Sequence, residues 1–292
     1  MLVNGAAARF ARALLPRLCA DASVDAVIGV DMAPVRYSHP KLRTERVDIR
    51  DGAFSALLPR CDALIHMDFV RPTSELNGEA LFEINVRAAH KLFHAARSHG
   101  VSRLVHVSTA AVYGSAVHAS EDAPLRPLAG FTYAEHQAQL EQLLAIDVPE
   151  CVRLRPHVMV GANAHALVKL WLKQPFHARF ADPEPLFQCV HEDDVAEAAI
   201  ACLKNDARGP YNLAIDKSFT LYQALRERRR LTLPLPAGAG LRALELAARL
   251  TGTDGDRGWM VALTRTLLVN CRRAILDLDW KPRTLRAALR AI

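Results

Sequence analysis

Leu2-Val3-Asn4-Gly5-Ala6-Ala7-Ala8-Arg9-Phe10-Ala11-Arg12 opens the chain, and the order of its parts decides the fold. A short apolar run, a glycine and an Ala-rich stretch reaching Cys19 read as strand, turn and helix. A loop in that place commonly carries glycines, which permit a tight turn and let the backbone approach a pyrophosphate. Of three glycines at the spacing GxxGxxG only Gly5 is present; Ala8 and Ala11 fill the other two places. An Ala-rich helix start explains the stretch equally well by itself. Context favours the loop, because Asp31 ends the next apolar run, where a carboxylate can hold the hydroxyls of an adenosine ribose.

Working outward, predicted strands at 26–30, 44–47 (a weaker one), 63–67, 103–108 and 151–155 alternate with helical patterns at 7–19, 81–98 and 133–144. That alternation predicts an α/β fold, a doubly wound parallel sheet (Rossmann-like) covered by helices on both faces. After Pro156 the rhythm breaks into an irregular, proline-punctuated stretch. A helix with an acidic first turn begins near Asp193, and 211–214 suits one more strand. A linker at 233–240 precedes a largely helical end. The expected division is a dinucleotide-binding domain over 1–156 and a smaller, mostly helical substrate-type region over 157–292, with about 186–217 returning to the first core.

The chain has 292 residues, 51% of them hydrophobic and 23% charged, which allows a substantial core. Its six cysteines show no CxxC pair, which argues against a zinc module or a disulfide scaffold and fits a reducing cytoplasm. The net charge of +6 permits anionic ligands without calling for nucleic acid. No run of about 18 apolar residues predicts a membrane helix, and Arg9, Arg12 and Arg17 interrupt any signal-peptide core.

Two further motifs carry chemistry. Val107-Ser108-Thr109-Ala110-Ala111-Val112-Tyr113-Gly114 ends a predicted strand, and Tyr133-Ala134-Glu135-His136-Gln137 opens a predicted helix, with Glu121-Asp122-Ala123-Pro124-Leu125-Arg126-Pro127 between them. With 61–66, Asn85-Val86, Arg155-Pro156, 190–196 and 278–283, this pattern resembles the extended short-chain dehydrogenase/reductase family, the NAD-dependent epimerase/dehydratase group. The resemblance runs nearly end to end. It implies NAD or NADP as cofactor, with Asp31 favouring NAD. Thr109 would hydrogen-bond the substrate oxygen and Tyr133 would be the general acid/base. Gly5, Ala8, Arg9, Ala11, Asp31, Asp48, Ile49, Asp68, Pro156 and His157 would lie along the cofactor.

The chain departs from that pattern in three places. Gln137 stands where the family has a lysine that holds the nicotinamide ribose and lowers the tyrosine pKa. Glutamine can bond a ribose hydroxyl but carries no charge, and at a pKa near ~10 only about one tyrosine in a thousand is ionised at pH 7. His136 offers a partial substitute for that charge, although a surface histidine is the simpler reading. Ala8 puts a methyl group where the second glycine admits pyrophosphate, an overpacking of about 1–3 kcal/mol. Asp68 adds a carboxylate beside the dinucleotide, which Arg9, Arg12 and Arg36 could offset.

The expected function is therefore an NAD(P)-dependent epimerase/dehydratase-like oxidoreductase with weak or impaired catalysis. The alternative is a non-catalytic dinucleotide-binding or interaction protein. The substrate is a small molecule the sequence does not identify, and the apolar stretches 241–250 and 260–268 suit one less polar than a nucleotide sugar. In similar proteins the helices at 81–98 and 133–144 form a dimer seam, which leaves a homodimer open. Simpler roles account for the remaining candidates. His90 and His94 have zinc-compatible spacing but no third ligand. Asp193 and Asp194 suit a helix start. Arg226, Arg228, Arg229 and Arg230 suit a solvated helix end, and Trp171, Trp259 and Trp280 suit packing.

Overall fold

The structure, a computed structural model, describes residues 1–72, 76–173, 176–178, 183–227, 233–235, 242, 246 and 258–290. Thirteen strands are described: β1 Leu2–Asn4, β2 Val27–Val30, β3 Leu42–Glu45, β4 Ala63–His66, β5 Arg103–Val107, β6 Ala116–Ala119, β7 Val152–Pro156, β8 Val158–Val160, β9 Phe176–Ala178, β10 Cys189–His191, β11 Gly209–Leu213, β12 Leu233–Leu235 and β13 Leu267–Val269. Seven form one sheet in the order β11-β7-β5-β4-β1-β2-β3. Every neighbouring pair in it is parallel. β1 and β4 are buried throughout, as a sheet covered on both faces requires. The expected doubly wound α/β fold is present.

Strand order reverses beside β1, whose Val3 is in register with Ile65 on one side and Gly29 on the other. At such a switch point the connections leave in opposite directions and open a crevice at the carboxyl ends of the strands. Helices α1 (Ala11–Ala20) and α6 (Glu192–Lys204) pack together, and their buried side chains belong to one core with Val3, Ile65 and Val107. On the other face, Gly78–Phe82 (α2), a π-helical turn at Glu83–Ala88 and Ala89–Ser98 (α3) run on as one helix beside α4 (Thr132–Asp147). Phe93, Leu140 and Leu144 meet Leu2 and Leu64 there. A third core joins α5 (Ala166–Lys173), α7 (Leu221–Glu227) and Leu285–Arg290 through Leu167, Val168, Leu225 and Leu289.

Several sequence expectations are refined. The stretch after Pro156 forms β8, which pairs with β10, and then α5. Leu233–Leu235, expected in a linker, pairs with β9 in a two-stranded ribbon, where a proline without an N–H is tolerated. The helix at Glu192 is capped by His191, whose Nδ1 accepts the Asp193 N–H. Asp194 does not cap it: its buried carboxylate takes the Arg283 backbone N–H at 2.9 Å and Nε at 2.7 Å. Arg228, Arg229, Arg230 and the Trp171 side chain lie outside the described residues, as does 241–250 apart from Arg242 and Leu246.

Candidate active site

The loop after β1 turns because Gly5 adopts φ +88° and because a Cβ there would come within 2.7 Å of the Asp68 backbone nitrogen. Only glycine meets both conditions without strain. Gly5 and Ala6 donate their N–H groups to Val30 O, and Asp31 Oδ2 accepts the Ala7 N–H at 2.8 Å. Asp31, expected to hold ribose hydroxyls, thus also braces the loop, and its Oδ1 accepts the Ala33 N–H. Ala8 and Arg9 face a cavity of about 500 Å³, while Ala11 is fully buried at the start of α1.

Thr109 and Tyr133 face the same cavity, and a hydrogen bond joins their side chains. Their approach is set from below. Ser108, one residue before Thr109, donates to Glu141 Oε1 at 2.5 Å. Glu141 stands two turns along α4 from Tyr133 and pairs with Arg155 of β7 at 2.6 Å. This buried ion pair ties β5, α4 and β7 together, so the hydroxyls of strand end and helix start cannot drift apart independently. Phe69, Phe131 and Trp259 surround the Tyr133 ring, with centroids 4.7, 6.0 and 5.6 Å away. Burial pushes the Tyr133 hydroxyl up to about 12, with the Thr109 hydrogen bond working the other way. The phenol is neutral at neutral pH.

Gln137 lies outside the cavity wall. Its buried Oε1 is 2.7 Å from His106 Nε2. His106 stacks on His66, with ring centroids 5.4 Å apart, and His66 Nδ1 meets Asn4 Nδ2 at 2.8 Å. Burial pushes His106 down to about 4 and His66 well below its ordinary value. Gln137 is thus the neutral partner of a neutral imidazole beneath the sheet. His136 is half-buried against the Phe69 and Phe82 rings. Burial lowers its pKa, so it is neither a surface histidine nor a cation for Tyr133.

Behind the loop lies a group of carboxylates. Asp68 is raised to about 6 by burial and by the charges of Asp31 and Asp48, while Asp48 is held low by hydrogen bonds to Arg50. Asp31, Asp48, Ile49 and Asp68 do not line the cavity; Pro156 and His157 do. His157 Nδ1 accepts the Val158 N–H, its Nε2 lies 3.0 Å from Leu267 O, and burial brings its pKa to about 4.

Several cavity groups had no site role in the sequence reading, and Asn85, which is not part of the cavity wall, supports two of them. Arg71 Nη1 lies 2.8 Å from His165 Nε2. Burial and the charges of Arg71 and Arg9 push His165 down to about 4. Asn85 exchanges hydrogen bonds with Val70 N–H and O, which fixes the segment carrying Phe69 and Arg71. Trp259, expected only to anchor packing, stacks on Tyr133. Glu192, at the start of α6, also faces the cavity. Each contact joins residues far apart in the chain, so spacing gave no signal. Trp280, by contrast, is a packing residue, with Nε1 donating to Asp194 O. His90 is engaged by Asp147 at 2.8 Å, and no cluster suited to a metal occurs among the described residues.

Comparison with known proteins places the chain by sequence and by fold. The chain is 26% identical over 305 residues to an uncharacterized protein of Mycobacterium tuberculosis (strain ATCC 25618 / H37Rv), covering 97% of this chain and 80% of that one. A dTDP-glucose 4,6-dehydratase of Streptomyces griseus is 35% identical over 114 residues, covering 38% of this chain and 34% of that enzyme. Among solved structures, MoeE5 in complex with UDP-glucuronic acid and NAD superposes with a TM-score of 0.77 at 22% identity, over 99% of this chain and 96% of that one. The model of the NAD dependent epimerase/dehydratase family matches residues 1–214, and the chain belongs to that family.

Proposed function

We propose that the protein is an NAD-dependent oxidoreductase that interconverts a secondary alcohol and a ketone slowly. The observation carrying this reading is the Thr109–Tyr133 hydroxyl pair in the cavity that the Gly5 loop also borders. The solved relative MoeE5 holds NAD, and the residues here fit that cofactor. Arg9 and Arg71 at the loop end of the cavity suit its pyrophosphate, and the Asp31 carboxylate suits a ribose diol while repelling a 2′-phosphate. The nicotinamide, when bound, supplies a hydride acceptor or donor. Tyr133 would take the hydroxyl proton of an alcohol and pass it to water as the carbinol carbon is oxidised to a ketone. Thr109 orients the reacting oxygen.

Slow turnover follows from the tyrosine. With its pKa near 12, the phenolate is present in roughly 1 in 10⁵ molecules at pH 7. A phenol so protonated still donates to a ketone oxygen, so reduction is the favoured direction near neutrality. A second reading, a dinucleotide-binding protein without turnover, draws on Gln137, whose bond to His106 leaves Tyr133 without the neighbouring cation.

The deciding experiment is calorimetric titration of the purified chain with NAD⁺, NADH, NADP⁺ and NADPH, after removal of copurified nucleotide. Binding of NAD⁺ and NADH in preference to their phosphorylated counterparts is expected. No binding of any of the four at millimolar concentration to folded protein would overturn both readings.

A further inference from the structure

The described lining of the cavity is of two kinds. Its cations, Arg9 and Arg71, gather with His165. A second part is hydrocarbon: Val168, Leu172, Phe219, Leu221, Leu263 and Leu289 line the cavity and belong to one packed cluster, none more than 7% exposed. Among the described residues the cavity wall carries one anion. Glu192 is 5% exposed, and its oxygens accept the Asn163 N–H, both at 3.1 Å, and Asn163 Nδ2 at 3.2 Å. Room for it comes from Gly161, at φ +140°, where a Cβ would lie 2.6 Å from the Glu192 carboxylate. Gln188, also on the wall, is engaged on both sides by Ile215 O and the Val269 N–H.

A nucleoside diphosphate needs cations or free N–H donors around its phosphates. Here it would meet alkyl side chains and a buried carboxylate, so desolvation of the phosphates goes uncompensated and like charge opposes them. Hydrocarbon placed against the same wall is stabilised in proportion to the area it removes from water.

Building on the oxidoreductase reading, we propose that the substrate is a neutral, hydrocarbon-bodied secondary alcohol or its ketone, carrying no phosphate. Its hydrocarbon body lies against the Val168–Leu289 patch and its oxygen reaches Thr109 and Tyr133. Glu192 opposes an anion placed beside it. This separates the chain from MoeE5, which was solved with UDP-glucuronic acid.

The test is calorimetric titration of the full chain, with and without NAD⁺, against cyclohexanol, 4-tert-butylcyclohexanol and UDP-glucose. Each buried methylene is expected to tighten binding about fourfold, so the tert-butyl alcohol should bind about tenfold or more tightly than cyclohexanol, with UDP-glucose weaker than both. Equal affinity for the two alcohols, no binding of either at its solubility limit, or tighter binding of UDP-glucose would overturn the proposal. NAD⁺ titrated alone separates the two readings. Alcohol binding without NAD⁺ binding removes the oxidoreductase and keeps the apolar chamber, whereas binding of NAD⁺ together with UDP-glucose does the reverse.

Discussion

Two polar assemblies flank the carboxyl end of β5, and they are built on opposite terms. Beneath the sheet, Asn4, His66, His106 and Gln137 are buried, and the two imidazoles are held neutral. Alongside them Ser108, Glu141 and Arg155 form a paired and hydrogen-bonded ion cluster. Above it, at the loop end of the cavity, Arg9 and Arg71 have no carboxylate ion partner among the described contacts, and their mutual repulsion is one of the causes that lower Arg9. Buried polar groups bonded to one another fix geometry, and in the lower assembly His106 Nδ1 alone is a buried side-chain polar atom without a hydrogen-bond partner. Charges left facing a cavity raise the energy of the empty site and favour an anionic ligand. The lower assembly is bonded within itself, and the upper one faces the cavity.

The comparison can be broken most sharply at Tyr133. Tyr133→Phe is expected to reduce alcohol oxidation by roughly 10²–10⁴-fold while leaving thermal stability and NAD⁺ affinity unchanged; an undiminished rate would remove the assigned role. With the wild type, oxidation should rise about tenfold per pH unit up to at least pH 9. In the proposed reading phenolate is the base, and burial raises the Tyr133 pKa to about 12, so a plateau below pH 8 would assign the base elsewhere.

Gln137→Lys tests the lower assembly. An ammonium cannot accept the His106 Nε2 hydrogen bond, so the variant should lose about 1–3 kcal/mol of stability in denaturant unfolding, with no gain in turnover. A faster enzyme would mean that the ammonium reaches Tyr133, and that the bond to His106 is not what defines this position.

Asp68 gives a smaller effect with a defined sign. Its folded pKa, about 6, is above the ordinary value of 3.8. The native state therefore binds its proton more tightly, and stability falls as pH rises from about 4 to 6. Asp68→Asn is expected to stabilise the protein by about 1–2 kcal/mol at pH 7, allowing for partial solvent exposure, and to strengthen NAD⁺ binding. If the variant is no more stable than wild type at pH 7, the carboxylate is not under electrostatic stress. Arg71→Ala closes the series. About a tenfold loss of NAD⁺ affinity is expected, along with a rise in the His165 pKa measurable by NMR, because one of the charges depressing it is gone.

Much of the fold was legible because it rests on local pattern. The segments at 26–30, 63–67, 103–108 and 151–155 correspond to β2, β4, β5 and β7, since strands buried on both faces are rich in apolar residues, even where β5 and β7 carry the buried His106, Arg153 and Arg155. The turn at Gly5 was equally legible, and the structure supplies the reason in the Asp68 backbone nitrogen 2.7 Å from a would-be Cβ. The strand at Leu42–Glu45 lay two residues earlier than expected, because its edge position leaves it half-exposed and weakly patterned.

By itself, then, the sequence determined the parallel sheet and the loop after β1 and nominated Thr109 and Tyr133, because periodicity, glycine conformation and motif order are properties of neighbouring residues. The tertiary structure decided what those groups face. Sheet order brought His106 to Gln137 across 31 residues and Arg71 to His165 across 94. It also set Trp259 against Tyr133 and Glu192 in an otherwise hydrocarbon wall. Burial and charge at each group depend on which distant segment covers it, and that is the physical reason its pKa and its partner could not be read along the chain.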